Sequence, residues 1–470
     1  MKKGKKVHLI GICGAGMSAV AVVLKRGSWK VSGSDEGFYE PISGYLRKNK
    51  ISFFGNYSAK NIPRDADLIV IGNHAKLVPE SNAEVKAAFA SGIEIKSLPE
   101  MLAMFSEGKN NLVITGSFGK STCTALLAYC LIKTKKNPSY FIGAVPIDSK
   151  QSLHLGKGKE FVIEGDEYRS SNWDNRSKFM HFSPSSVLLI SAEHDHINLF
   201  PTEKSYKEPY KKLVAKIPKG GLLVYANKAK NTKEIVKYAK CKAVSYSLNN
   251  KSSDWHAQNI KYGLYTSFDL MNKGEKITNI KTKLLGNHNI ENIIGGGALL
   301  LEQKLIKPVE FAKAIKTFSG IMRRIELKTK KSIVPVYEGF GSSYSKTKVI
   351  FETLKLHFPK KKIIAVFEPH TFSWRNREAL KWYKDIFDGI SEVILLPPPM
   401  HGKGTHDQLT YDQIFKAIPK SINKYKARTE KESLDLIKKI TNKNDIIVLI
   451  SSGSLLGLSK SIPNLIERLF

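Results

Sequence analysis

The residues best suited to chemistry lie in a short loop between an apolar run and a helix-like run. The loop reads T-G-S-F-G-K-S-T at 115–122 and follows the apolar residues 112–114. Its glycines let the backbone turn so that unpaired N–H groups and a helix dipole face one point, which suits a phosphate. Lys120 would add charge for the outer phosphates of a nucleotide, and Ser121 would add a hydroxyl ligand for Mg²⁺. The predicted phosphate-binding residues are Gly116, Ser117, Gly119, Lys120, Ser121 and Thr122. The alternative is a glycine turn with a surface lysine.

Acidic side chains follow two further apolar runs in the same stretch of chain. Glu164 opens the run E-G-D-E after residues 161–163, and a run that ends in His196 follows residues 187–190. Carboxylates at strand ends beside a phosphate loop are the hard oxygen ligands that Mg²⁺ takes when it bridges phosphates. The alternative is a pair of solvated acidic turns, but the surrounding chain is strongly basic. We therefore expect these strand ends and the loop to share one magnesium-dependent site.

A second glycine turn lies near the start of the chain. Residues 7–18 form a short apolar run, a turn with Gly14 and Gly16, and the beginning of an apolar helix. This pattern is typical of a nucleotide-binding βαβ unit, in which small residues let the backbone approach a diphosphate. Asp35 and Asn73 follow the next two strand-like runs, where open α/β sheets bind ligands. A nicotinamide dehydrogenase is a competing interpretation, but it would leave the second phosphate loop unexplained.

The alternation of strand-like and helix-like runs predicts an α/β protein whose strands position these turns. At 470 residues, the chain exceeds one ordinary core and indicates several domains. We predict domains at 1–107, 108–318 and 319–470, and the phosphate loop belongs to the second. The strands expected in the third domain are 333–336, 363–367, 393–396 and 446–450.

The charge, the cysteines and the apolar stretches of the chain exclude several classes of protein. The formal charge is +33, but the lysines are spread along the chain rather than gathered into a stripe with aromatic residues, so nucleic-acid binding is not expected. The four cysteines have no CxxC or Cys/His ligand spacing, which indicates free thiols and no zinc site. No apolar stretch has the length of a membrane span, and residues 1–6 lead into a strand without a signal-peptide core. We therefore expect a cytoplasmic protein with no membrane partner.

Taken in order, these motifs resemble those of the Mur ligase family, the ATP-dependent amide-forming enzymes of peptidoglycan synthesis. The resemblance covers nearly the whole chain. It implies a Rossmann-like N-terminal domain for a UDP-sugar, a central P-loop ATPase-like domain and a C-terminal Rossmann-like domain for the amino substrate. The runs E-G-D-E-Y at 164–168 and D-N-R-S-K-F-M-H-F-S-P at 174–184 are similar to those of the family's peptidoglycan-recycling members. Those members join UDP-N-acetylmuramate to the peptide L-Ala-γ-D-Glu-meso-diaminopimelate. The family's addition of a single L-alanine is the alternative.

The resemblance also implies roles for individual residues. Lys120 would bind the ATP phosphates. Ser121 and Glu164 would ligate one Mg²⁺, and His196 would ligate a second. The residues matched to the nucleotide are His288, Asn289 and Asn292 on the adenine side, and Arg324 or its neighbour Arg323 on the phosphate side. Those matched to the UDP-sugar are Gly14, Gly16, Asp35 and Asn73. The implied reaction is phosphorylation of a lactyl carboxylate by ATP, followed by attack of an amine on the acyl phosphate. It implies small-molecule substrates, and we expect a monomer.

Two stretches depart from the family pattern. Phe118 stands where the family's phosphate loop has histidine, and residues 338–346 replace a D-D-F-A-H-H-P-like loop. Glu338 would keep one acid of that loop, and Lys346 or His370 would supply charge in place of its histidine. A chain altered in this way has a second interpretation, as a paralogue that binds nucleotide or UDP-sugar without ligation. The retained lysine of the phosphate loop and the retained metal-site residues favour the ligase.

Overall fold

In the residues described by the computed structural model, 4–37, 42–399 and 408–470, long buried apolar runs form the strands of three sheets. Parallel strands that are covered on both faces have continuous apolar sequences, as in L-I-V-I at 68–71 and D-I-I-V-L-I at 445–450. Helices between the strands cover the sheets. Within those described ranges, no helix is both long and apolar enough to cross a membrane.

The first sheet lies near the N-terminus. Its strands are β1 (Lys6–Ile10), β2 (Lys30–Ser34), β3 (Leu68–Ile71) and β4 (Ile95–Ser97), and its helices are α1 (Ala15–Arg26), α2 (Ile42–Lys48), α3 (Ala83–Ala90) and α4 (Leu98–Ser106). The strands are parallel in the order β2-β1-β3-β4, so their carboxyl ends meet at one edge. At this edge Gly11 has a φ of +80°, and α1 begins directly after Gly14. The predicted glycine turn therefore lies where parallel sheets bind ligands.

The second sheet carries the phosphate loop. Its strands are β5 (Asn110–Thr115), β6 (Ser139–Phe141), β7 (Leu153–His154), β8 (Glu160–Gly165), β9 (Ser186–Leu189), β10 (Leu222–Ala226), β11 (Lys242–Tyr246), β12 (Trp255–Lys261), β13 (Thr266–Asn272) and β14 (Glu275–Thr282). Its helices are α5 (Lys120–Lys133), α6 (Glu203–Ala215), α7 (Thr232–Ile235), α8 (Asn287–Glu302) and α9 (Pro308–Thr317). The strand order is β14-β13-β12-β11-β10-β9-β5-β8-β6-β7. Thr115 pairs in parallel with Gly165 on one side and Leu189 on the other, so the turns after these strands share one edge.

The third sheet lies in the C-terminal part of the chain. Its strands are β15 (Arg324–Leu327), β16 (Val336–Gly339), β17 (Lys362–Phe367), β18 (Glu392–Leu395), β19 (Asn423–Lys426) and β20 (Asp445–Ile450). Its helices are α10 (Tyr344–His357), α11 (Phe372–Arg375), α12 (Leu380–Tyr383), α13 (Tyr411–Ala417), α14 (Glu430–Ile440) and α15 (Leu458–Leu469). The order is β15-β16-β20-β17-β18-β19, and β15 is antiparallel to β16 while the other pairs are parallel.

The first expected strand of this sheet is placed too early by the sequence pattern. The prediction was 333–336, but the strand runs over Val336–Gly339. Ile333 is 56% exposed, and Pro335 has no N–H to donate to a neighbouring strand. The Pro335 carbonyl accepts from the Ile447 N–H of β20 at 3.1 Å, so residues 333–335 lead into the sheet and the paired strand begins at Val336.

The chain forms two compact units. The first comprises Met1–Ile260, Phe268–Lys281 and His288–Phe318, and the second comprises Lys261–Ser267, Thr282–Asn287 and Ser319–Phe470. Within the first unit, one hydrophobic cluster contains Leu24 from the first sheet's layer and Val113 and Phe161 from the second sheet. Residues on both sides of the predicted boundary at 107/108 thus pack in one core. The three domain ranges remain a prediction.

Candidate active site

Two glycines shape the turn between β5 and α5. Gly116 has a φ of +143°, and a Cβ atom there would lie 2.8 Å from the backbone nitrogen of Ser191. Gly119 has a φ of +81° directly before α5, and a Cβ atom there would lie 2.8 Å from Asn292 Oδ1. Both positions therefore exclude side chains, and the loop keeps its backbone N–H groups at the helix N-terminus, which is the arrangement that binds phosphates.

Ser117 attaches the loop to the next strand end. Its backbone N–H donates to Ser191 Oγ at 3.1 Å, and its hydroxyl donates to the Glu193 carbonyl at 2.7 Å. The same hydroxyl lies 2.9 Å from the Tyr206 hydroxyl of α6. Thr122, in the first turn of α5, is buried. In this structure the hydrogen bonds of Ser117 fix the loop, and the expected contacts of Ser117 and Thr122 with ATP remain predictions.

Lys120 is held in place by a buried carboxylate. Its Nζ lies 2.7 Å from Glu167 Oε2 and 3.9 Å from Asp166 Oδ1. The Glu167 side chain is 1% exposed and also accepts a hydrogen bond from the Tyr206 hydroxyl at 3.3 Å. A buried carboxylate requires such partners, because an unpaired buried charge is strongly destabilising. The pair fixes the lysine ammonium group beside the loop.

Ser121 and Glu164 form an oxygen-rich pair at the same edge. The Ser121 hydroxyl donates to Glu164 Oε1 at 2.9 Å, and the Gly143 N–H donates to Glu164 Oε2 at 2.6 Å. Burial raises the pKa of the Glu164 carboxyl above its ordinary value, while these two hydrogen bonds oppose the shift.

The Ser121 and Glu164 pair fits the predicted Mg²⁺ by its chemistry. Mg²⁺ prefers oxygen ligands and is usually held by one or two protein groups together with water and phosphate oxygens. Across residues 4–37, 42–399 and 408–470, no group of three or more His, Cys, Asp and Glu side chains forms a metal cage. The pair therefore suits a magnesium ion that is bound jointly with a nucleotide.

His196 lies beside Glu167. Its Nε2 is 3.7 Å from Glu167 Oε1 and 3.9 Å from Asp195 Oδ2, and its ring contacts the Tyr168 ring edge to face. The side chain is about one third exposed, and its backbone has a φ of +54°. His196 is thus connected to Lys120 through Glu167, and its hydrogen bonding does not include Ser121. Its role at a second Mg²⁺ remains a prediction.

The predicted adenine-side residues begin α8. His288 is exposed, whereas Asn289 and Asn292 are buried. Asn292 donates weakly to Asn289 Oδ1 at 3.4 Å, and its carbonyl accepts from the Cys123 thiol of α5 at 3.6 Å. Asn292 therefore joins α8 to the helix of the phosphate loop. Their contact with a nucleotide base remains a prediction, as does that of His288.

The predicted UDP-sugar glycines have different local roles. Gly14 directly precedes α1. At Gly16, a Cβ atom would lie 2.6 Å from Leu98 Cδ2, so its lack of a side chain serves close helix packing. Both lie at the carboxyl edge of the first sheet, and their part in substrate binding remains a prediction.

Asp35 and Asn73 also have partners within the chain. Asp35 accepts hydrogen bonds from the Cys13 and Gly37 backbone N–H groups at 2.8 and 3.0 Å, and it closes the glycine turn. Asn73 Nδ2 donates to the Arg169 carbonyl at 2.9 Å, and so joins the first sheet to the segment after β8. The expected contacts of Asp35 and Asn73 with a sugar nucleotide remain predictions.

Arg324 and Arg323 lie in the second unit. Arg324 is exposed on β15. Arg323 has a φ of +61°, its Nε lies 3.0 Å from Glu338 Oε1, and it donates to the Ser451 and Gly453 carbonyls at 2.9 Å. Arg323 is thus engaged within its own unit. The role of Arg324 at ATP phosphates stays a prediction.

Comparison with known proteins identifies the family. Residues 6–110 match the family model described as Mur ligase family, catalytic domain, and residues 114–300 match the Mur ligase middle domain. The chain belongs to the Mur ligase family. It is accordingly an ATP-dependent ligase that forms amide bonds, of the class that acts in peptidoglycan synthesis. The resemblance seen in the motifs is confirmed, and so is the enzyme class.

This Mur ligase is similar to proteins of two activities. It is 28% identical over 471 residues to a UDP-N-acetylmuramate–L-alanine ligase of Dictyoglomus turgidum, across 97% of this chain and 95% of that one. Among solved structures, the UDP-N-acetylmuramate-alanine ligase of Thermotoga maritima has a TM-score of 0.76 and 21% identity, and 98% of each chain is covered. A murein peptide ligase of Psychrobacter arcticus has a TM-score of 0.66 and 21% identity, over 99% of this chain and 100% of that one. These structures confirm the predicted three-domain α/β fold.

The amino substrate expected from the motifs is less well supported than its alternative. The runs at 164–168 and 174–184 led us to expect a tripeptide, but the sequence relatives carry the L-alanine activity, which was the second choice. Both activities belong to members of the same family, so the motifs near the phosphate site are compatible with either amine.

Three residues at the site were not singled out from the sequence. Glu167 lies in the acidic run, but only Glu164 was chosen there, although a carboxylate two residues beyond a strand end is an equal candidate. Lys178 lies in the run 174–184 that carried the resemblance, but the sequence assigned it no role, and Tyr206 lies in no such motif. Their contacts with Asp166 and Glu167 depend on how distant segments fold.

Proposed function

We propose that this Mur ligase uses ATP to join the lactyl carboxylate of UDP-N-acetylmuramate to the amine of L-alanine. The observation that supports this most is the edge at which Lys120, Ser121 and Glu164 meet beside a glycine turn. The choice of L-alanine is supported by the Dictyoglomus turgidum relative, which matches along almost the whole chain.

Each residue of this edge would contribute a distinct part of the reaction. The loop N–H groups and Lys120 would bind the ATP phosphates, and Glu167 would keep the lysine in position. Ser121 and Glu164 would hold Mg²⁺ against those phosphates. ATP would supply the phosphoryl group that activates the carboxylate. Catalysis of phosphoryl transfer consists mainly of positioning and charge stabilisation, so the site requires no side-chain nucleophile.

Transfer of the tripeptide L-Ala-γ-D-Glu-meso-diaminopimelate is a second candidate. The run at 174–184 supports it, because this run is similar to that of the peptidoglycan-recycling members, and Lys178 from that run contacts Asp166 at the phosphate edge. The two candidates share the nucleotide and the UDP-sugar, and they differ in the amine alone.

A phosphate-release assay tests the proposal. The protein is incubated with MgATP and UDP-N-acetylmuramate, and with either L-alanine or the tripeptide, and the products are identified by mass spectrometry. We expect phosphate release in proportion to the L-alanine product, and none above background for Lys120→Ala. Product with the tripeptide alone would support the second candidate. Absence of both products would favour the non-catalytic binder.

A further inference from the structure

A row of alternating charges extends from the phosphate loop to Lys178. Lys120 Nζ lies 2.7 Å from Glu167 and 3.9 Å from Asp166 Oδ1, while Lys178 Nζ lies 2.6 Å from Asp166 Oδ2. One carboxylate therefore faces two ammonium groups, and the distal lysine is its close partner. Lys120 in turn has a single close carboxylate partner among these acids.

This distribution of partners determines how strongly Lys120 is held. Without the ammonium group of Lys178, the Asp166 carboxylate would have Lys120 as its nearest cation. A shift of about 1 Å would bring these two groups to the distance of a charge-assisted hydrogen bond. Lys120 would then be clamped by two carboxylates, and an incoming phosphate would have to compete with both. A half-buried carboxylate favours such a shift, because it is costly to leave it unpaired.

The position of Lys178 is fixed by the segment 168–178. The Lys178 N–H donates to the Tyr168 carbonyl at 2.9 Å, and its Nζ lies 5.7 Å from the centre of the Tyr168 ring. In the middle of the segment, Asn172 Nδ2 donates to the His74 and Leu77 carbonyls at 2.8 Å each. The two ends of the segment are thus joined to each other beside Asp166, and its middle is attached to the residues that follow β3, which holds Lys178 against Asp166.

We propose that Lys178 is a positioning residue, which binds Asp166 and thereby leaves Lys120 free to exchange its contacts for ATP phosphates. This inference rests on the proposed function, because it concerns the nucleotide step of that reaction. Lys178 acts through Asp166 and does not itself contact the nucleotide.

A double-mutant cycle, in which each variant is titrated with nucleotide, tests the proposal. The affinity for MgADP is measured by calorimetry for the wild type, K178M, K178R, D166N and D166N/K178M. We expect K178M to bind about tenfold more weakly, and K178R to bind within about twofold of the wild type. In the D166N background, K178M should change the affinity by less than about twofold, because the competing carboxylate is gone.

This cycle distinguishes an effect of Lys178 through Asp166 from a direct contact of Lys178 with the phosphates. If Lys178 contacted the phosphates itself, K178M would weaken binding equally in both backgrounds, and that result would overturn the proposal. Lys276→Met is a matched control, since it removes a Lys–Asp ion pair of 2.8 Å between β13 and β14. It should leave MgADP affinity unchanged.

A crystal structure of K178M provides a readout that does not depend on ligation or nucleotide binding. The proposal predicts that an Asp166 oxygen moves to hydrogen-bonding distance from Lys120 Nζ. An unchanged separation would overturn it, even if the enzyme proved to be a ligase. Conversely, if the wild type failed to bind MgADP while Asp166 moved in K178M, the proposed function would fail and the interaction described here would stand.

Discussion

The two units place similar charged residues at the carboxyl ends of parallel strands but use them differently. In the first unit, Lys120 lies 2.7 Å from the Glu167 carboxylate, and Glu164 accepts hydrogen bonds from two neutral groups, the Ser121 hydroxyl and the Gly143 N–H. In the second unit, Glu338 lies between two cations, with Arg323 Nε at 3.0 Å and Lys328 Nζ at 3.1 Å. The first arrangement can accept a metal and phosphates, whereas the second is already neutralised.

This difference shows that an acid at a strand end is not by itself a binding group. Glu338 was expected to keep one acid of the family's altered loop, but both of its oxygens face cations of its own unit. Its side chain is 5% exposed. Its contacts favour a structural role at the start of the third sheet. The two sheet edges differ in the groups that contact each carboxylate, and not only in where the carboxylate lies along its strand.

The largest effect is expected for Lys120→Ala. Loss of the ammonium group should lower ligation by about 10²–10³-fold, because the proposed site would lose the charge that Lys120 brings to the transferred phosphoryl group. Burying Glu167 without its cation should also lower the free energy of unfolding, by roughly 2–4 kcal/mol. Steady-state kinetics and urea unfolding measure the two effects.

Two variants control this experiment. Lys133→Ala, at the exposed end of the same helix, should change neither quantity. The double variant K120A/E167Q should regain stability without activity. Normal turnover of K120A would show that the phosphate site lies elsewhere.

A matched pair of substitutions sharpens the comparison of the two edges. Glu338→Gln should lower the free energy of unfolding by about 1–3 kcal/mol, because Arg323 loses its carboxylate partner and Lys328 keeps only its contact with Glu326. Glu164→Gln should change it by less than about 1 kcal/mol, since burial already favours the neutral form at that position. Denaturation in the absence of metal measures both.

The same two variants should behave in the opposite way when Mg²⁺ and ADP are added. E338Q should keep the rise in Tm that the ligands produce, while E164Q should lose most of it. Equal stability losses for the two variants, or a retained metal effect in E164Q, would remove the distinction between the edges.

A smaller effect is expected from pH. Because burial raises the folded-state pKa of Glu164, its contribution to stability is fully present below the unfolded pKa and is lost as pH rises through the folded pKa. Mg²⁺ needs the ionised carboxylate, so the rise in Tm caused by Mg²⁺ and ADP should grow over that same range above the ordinary glutamate value. Thermal unfolding from pH 4.5 to 8 tests this. A flat profile in the wild type, or the same profile in E164Q, would contradict it.

The parts that the sequence predicted well are those fixed by local order along the chain. A strand, two glycines, a lysine and a helix define the loop at 115–122, and parallel pairing brings Glu164 to it because β5 and β8 are neighbours. The contacts of Glu167 and Lys178 depend instead on the path of the segment 168–178. The start of β16 at Val336 also differs from the expected 333–336, because Pro335 has no N–H for a strand ladder. Contacts between side chains that are distant in sequence produce no hydrophobic periodicity, so they could not be predicted from the sequence pattern.

The central claim is that the loop at Lys120 shares a magnesium ion and ATP phosphates with Glu164. Crystals soaked with Mn²⁺ and a non-hydrolysable ATP analogue, measured by anomalous scattering, test it most directly. We predict a manganese peak within about 2.5 Å of both Ser121 Oγ and a Glu164 oxygen, with the analogue's terminal phosphates in contact with Lys120. A metal or triphosphate bound away from these three side chains would contradict the claim.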